Sequence, residues 1–148
     1  MTKKGSESAI KAIETMRRRG MPPQFDTSTY EGKVQKQAYK AASAAIARAK
    51  KNRLKCDEEW MLKSHLLIAE QGYVCKMTGI KFDVDFKTEG AGGTHLAPSP
   101  DRVDPKEGYV PGNVRWVLWA VNRGKGEMDE NLYVEICQAV AQRRGLLK

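Results

Sequence analysis

The chain has 148 residues, 41% of them hydrophobic and 30% charged, enough for one modest core but not for two. No apolar run approaches the roughly 20 residues needed to span a bilayer, and no apolar segment follows the basic start, so a membrane or secreted protein is not expected. A cytoplasmic protein is the default expectation.

The net charge of +8 is unevenly spread. Residues 1–55 hold 14 Lys and Arg against 4 Asp and Glu, a balance of +10, whereas the remaining residues hold 12 against 14, a balance of −2. A basic first third beside a near-neutral remainder is the footprint of a chain that follows a phosphate backbone. The competing reading is a solubilising tail, or an arm that contacts acidic protein or membrane. Cys56, Cys75 and Cys137 are odd in number, widely separated and form no CxxC pair, so reduced and mostly buried thiols are expected.

In chain order, Ser6 or Ser8 can cap a short helix through about Arg19, with Ile10, Ile13 and Met16 as its stripe, and Gly20 with Pro22 and Pro23 ends it. From about Thr29 to Lys51 the pattern is helical and alanine-rich. Val34, Ala38, Ala41, Ala42, Ala45 and Ile46 make a narrow apolar face among lysines and arginines. So small a face buries little area, so this helix must lean on DNA or on the core. Asp57 predicts the N-cap of a helix to about Gln71, with Trp60, Leu67 and Ile68 inward and His65 as a packing or surface histidine. A turn with short strands follows around residues 72–80, and then a glycine-rich loop over 83–93. The segment 98–103 is extended by its prolines, and 113–118 alternates as a strand. A helix starting near Trp119 carries Asn122. Asp129 caps a final helix of about 15 residues with Leu132, Ile136 and Val140 as its stripe. Trp116 and Trp119 are expected in the core.

The stretch from Pro98 to Lys125 is the most informative part of the chain. It places Asp101 at the end of one strand, a tight turn after it, then a second strand leading to a helix that presents Asn122. An acidic and an amide oxygen facing each other across such a unit make half a site for a hard cation, which keeps several waters and takes few protein ligands. A cation there can stabilise the leaving oxygen of a phosphodiester.

Ser99, Asp101, Arg102, Val103, Asp104, Gly108, Tyr109, Gly112, Asn113, Val114, Asn122 and Lys125 together resemble the motif of the HNH, or ββα-metal, endonucleases, in a branch common in phage genomes. Residues 47–51 and 75–80 also look like that branch, so the resemblance covers roughly residues 38–135. It implies an α+β fold with a ββα-metal core of two short antiparallel strands plus a helix, flanked by basic N-terminal helices and a C-terminal helix. Residues 1–55 would be a basic DNA-binding arm and 56–148 the nuclease domain. The implied activity is metal-dependent cleavage or nicking of double-stranded DNA, of the kind found among phage homing enzymes. Asp101 and Asn122 would hold Mg2+ or Mn2+, and Asn113 would pin the hairpin loop by hydrogen bonds. Arg48, Lys50, Lys51, Arg53, Arg115, Arg123 and Lys125 would contact DNA.

Two departures from the family pattern bear on this reading. Arg102 stands where the family has its histidine base, and an arginine stays protonated near neutral pH. It could instead hold phosphate or steady developing charge, leaving His95 or metal-bound hydroxide as the base. Some branch members carry zinc-binding cysteine pairs, but here Leu118 and Val121 stand at the second pair's place, so no structural zinc is expected. The alternative function is a DNA-binding protein that keeps the fold without cleavage. The third possibility is a protein that acts only by contacting another protein.

Overall fold

A computed structural model describes residues 23–86 and 94–147. The short helix expected before Arg19 and the glycine-rich tip of the 83–93 loop lie outside these residues. The fold is mixed α+β, with helices arranged around a two-stranded antiparallel sheet.

Helix α1 spans Tyr30–Lys51, and Thr29 caps it by accepting a bond from the Gly32 N–H. Glu31 sits at its positive end, and Arg48, Lys50 and Lys51 at its negative end, as the helix dipole favours. Between those ends Val34, Ala38, Ala42, Ala45, Ile46 and Ala49 are buried in the same core as Met61, Ile68, Phe82 and Trp116. The alanine face is therefore a close-approach surface. With only methyl groups on that side, the helix axis can lie close to the elements beneath it.

Helix α2 covers Glu58–Lys63, with Asp57 accepting from the Trp60 N–H, and α3 covers Leu67–Glu70. The single helix expected here is interrupted by a tighter 3-10 turn over Ser64–Leu66. The Ser64 hydroxyl, 2.6 Å from the Met61 carbonyl, donates back to the preceding turn, a habit of serine that competes with regular helix bonding. Residues 72–81 form a turn with a single antiparallel bridge, Val74 to Lys81, rather than strands.

Strand β1, Pro98–Arg102, pairs with β2, Val114–Leu118, in the register Ser99 to Val117 and Asp101 to Arg115. The prolines of β1 occupy alternate positions, so their missing N–H groups share one edge and the ladder runs through the other residues. Helix α4, Trp119–Lys125, follows β2 without a break, and α5, Glu130–Arg143, is capped by Asp129.

Trp116 anchors β2. It is fully buried, its indole N–H donates to the Ser64 carbonyl at 2.8 Å, and its backbone is bonded on both sides by the Gln71 amide. The C-terminal helix differs: Leu132, Ile136 and Val140 are 48%, 44% and 59% exposed, so its stripe does not enter the core. Cys75 is buried and Cys56 partly so, but Cys137 is exposed, against the expectation of mostly buried thiols. Among the described residues no helix is long and apolar enough to cross a membrane.

Candidate nucleic-acid interface

The β1–β2 turn is built around Asn113. Its amide oxygen accepts from the Asp104 N–H at 2.9 Å, and its amide nitrogen donates to the carbonyls of Asp104 and Gly108 at 3.1 and 2.8 Å. Asn113 is buried, so it satisfies three backbone groups that would otherwise face inward unpaired. Gly108 is required by packing, because a Cβ there would lie 1.8 Å from the Lys55 carbonyl oxygen. Gly112 is required by its backbone, at φ +83°. Arg102 belongs to the same loop. Its guanidinium donates to the Pro105 carbonyl at 2.8 Å and lies over the Tyr109 ring. Strand alternation sends its side chain to the face opposite that of Asp101.

Asp101 is 3% exposed and both its oxygens are taken. Arg115 Nε donates to Oδ2 at 2.9 Å, and Lys125 Nζ donates to Oδ1 at 3.1 Å. Lys125 is itself 1% exposed. Arg115 reaches on to both Glu130 oxygens at 3.2 Å, so two cations and two carboxylates form one balanced cluster beneath the sheet. Burial works against the Arg115 charge, but its bonds to Glu130 and Asp101 more than offset this and hold its pKa above the ordinary value. Lys125 and Arg115, expected to contact phosphate, are therefore committed to Asp101.

Asn122 lies one helical turn before Lys125. Its amide nitrogen donates to the Ser99 hydroxyl at 2.8 Å and to the Pro100 carbonyl at 3.1 Å, and its amide oxygen is free to accept as far as the described residues go. The divalent ion expected from the sequence would take oxygens from Asp101 and Asn122. Asn122 can supply one, but Asp101 cannot without losing a buried ion pair. Among the described residues no group of three His, Cys, Asp or Glu is placed to hold a metal. The arrangement as it stands does not fit a divalent cation at Asp101.

A cleft of about 890 Å3 opens between α1 and the β1–α4 unit. Its walls carry Lys40 and Arg48 from α1, Ser99 from β1, and Trp119, Asn122 and Arg123 from α4. Lys40, Arg48 and Arg123 are exposed, and among the described residues no carboxylate lines the cleft. The Arg123 guanidinium lies 5.1 Å from the Trp119 ring centroid, and His95 packs against the same ring at 5.4 Å. So Trp119, expected in the core, is half-buried at the cleft wall, and His95 is a packing neighbour of that wall.

The remaining cations expected to bind DNA lie at the end of α1. Lys50, Lys51 and Arg53 are exposed but do not line the cleft, and Lys50 pairs with Glu58 at 3.1 Å. Lys40 was missed as a site residue from sequence. Its signal was its spacing of eight from Arg48, close to two helical turns, which puts both on one face. No family model, curated protein or solved structure matches this chain.

Proposed function

We propose that this chain binds double-stranded DNA across the cleft, as a protein of the HNH, ββα type. The carrying observation is the cleft itself. It offers three exposed cations from two elements, Lys40, Arg48 and Arg123, and no carboxylate among the described residues of its lining. Such a wall attracts a phosphate backbone and repels nothing anionic, so affinity comes from charge and falls steeply with salt. The Ser99 hydroxyl lines the cleft and accepts from Asn122, so its own proton can be donated to a phosphate oxygen, a contact that positions a backbone without reading sequence.

Gel shifts of duplex DNA against salt test this reading. Replacing Lys40, Arg48 and Arg123 by Ala is expected to weaken binding on every sequence and to lower the salt slope by up to about three. A triple variant that binds like the parent, with the same slope, would put the DNA elsewhere.

The second reading is a metal-dependent DNA endonuclease or nickase. It is favoured by Asn122, whose free amide oxygen lines the cleft on the β1–β2–α4 unit that also holds Asp101. Under this reading supercoiled plasmid is nicked or linearised with Mg2+ or Mn2+, and EDTA, Asp101→Ala and Asn122→Ala abolish the cut. Without metal at Asp101, the chain's own residues bind and orient the backbone but supply no base, because Arg102 is turned into the loop and His95 packs on Trp119.

A further inference from the structure

We propose that the Lys125 ammonium is a built-in substitute for a divalent ion at Asp101, so that the β1–β2–α4 unit is complete without metal. This rests on the HNH-type reading for what the position would otherwise hold. The ionic cluster itself is independent of that reading. Asp101 is 97% enclosed, and its two oxygens meet Lys125 at 3.1 Å and Arg115 at 2.9 Å. Glu130 balances the second of these cations, so two positive and two negative groups sum to zero. A divalent ion added to this cluster would have to displace Lys125 and leave a 99%-buried ammonium with no carboxylate, or else sit beside two cations.

The helix holds the lysine in place. Lys125 comes from α4 one turn after Asn122, and α4 is fixed to β1 by the two Asn122 bonds. Gly126, at φ +54°, ends the helix immediately after Lys125. The lysine therefore reaches Asp101 from a short and anchored segment.

The test is Mn2+ binding followed by electron paramagnetic resonance, with thermal unfolding of the same samples in EDTA and in millimolar Mg2+ or Mn2+. Wild-type protein is expected to take up no stoichiometric Mn2+ and to melt at the same temperature in all three. Lys125→Ala, which opens a space beside Asp101, is expected to melt at least several degrees lower in EDTA and to recover part of that loss in Mn2+. Uptake of one Mn2+ by wild-type protein, lost in Asp101→Asn, would overturn the proposal, and so would a Lys125→Ala protein that gains nothing from Mn2+. If Lys125→Ala does not fold, the wild-type measurement decides alone. Gel shifts on the same wild-type samples keep the two readings apart. Loss of all DNA binding would sink the proposed function and leave the lysine assignment standing.

Discussion

Helix α4 separates two populations of positive charge that look alike in the sequence. Arg123 is exposed at the cleft, whereas Lys125, two residues on, is 1% exposed and bonded to Asp101. Two residues along a helix turn the side chain by about 200°, so the two cations leave opposite faces. Among the described residues the cleft side has no balancing carboxylate, whereas on the inner side Asp101 and Glu130 balance Lys125 and Arg115. The lesson is that a basic motif cannot be read as a DNA contact from residue type alone. The helical angle decides whether a cation faces a ligand or completes the core.

The sharpest way to break this contrast is to compare Asp101→Asn with Arg123→Ala in calorimetric unfolding. Removing the Asp101 charge strands Lys125 in the interior, and breaking such a buried pair costs about 3–5 kcal/mol. Arg123→Ala removes an exposed group and should stay within about 0.5 kcal/mol. Equal losses in the two variants would mean that the inner cluster is no more structural than the cleft wall.

His65 gives the next largest effect, and it acts on stability alone. It is 1% exposed, its Nδ1 lies 2.6 Å from the Gln35 amide oxygen, and its Nε2 has no partner among the described residues. An amide oxygen can only accept, so Nδ1 carries the hydrogen and Nε2 is bare. Burial lowers the pKa of His65 from the ordinary 6.5 to about 4. Between those values the unfolded chain binds a proton that the folded chain refuses. Stability is therefore full above pH 6.5 and falls as pH drops toward 4, by up to about 3 kcal/mol. Urea unfolding across that window should show the loss, and His65→Gln should flatten it. A slope unchanged in His65→Gln would assign the acid sensitivity to other groups.

Asn113→Ala ranks third. It strips three hydrogen bonds from the turn and leaves the backbone of Asp104 and Gly108 facing a gap. The expected cost is about 1–3 kcal/mol, measured as a lower urea midpoint. DNA affinity should change less than in the cleft variants, because Asn113 does not line the cleft.

Much of the architecture was legible because local rules and packing agreed. Asp57 and Asp129 cap the helices that follow them, and β1, β2 and α4 fall where prolines, alternation and the Trp119 boundary put them. The site was less legible, since burial is set by partners distant in sequence. Nothing in the sequence ties Asp101 to Lys125, twenty-four residues away, or Arg115 to Glu130. The alanine face of α1 left two destinations open, and the core filled it because methyl groups allow close approach to the elements beneath. Gln71 had no signal at all, since its role is to bond the backbone of Trp116, forty-five residues on.

The smallest predicted effect tests the contrast within α1 itself. Arg48 and Lys50 are both exposed cations near the end of that helix, but only Arg48 lines the cleft, and Lys50 is paired with Glu58. Lys50→Ala loses an exposed ion pair, worth about 0.2–1 kcal/mol of stability, and leaves the cleft wall intact. Arg48→Ala should weaken DNA binding and reduce the salt slope by about one, whereas Lys50→Ala should leave the slope nearly unchanged. Long-range attraction by net charge would treat the two alike, because each variant removes one positive charge. Equal slopes for Arg48→Ala and Lys50→Ala would therefore mean that DNA senses the overall basic character of the first third of the chain and not the cleft, whereas unequal slopes would locate the backbone between α1 and α4.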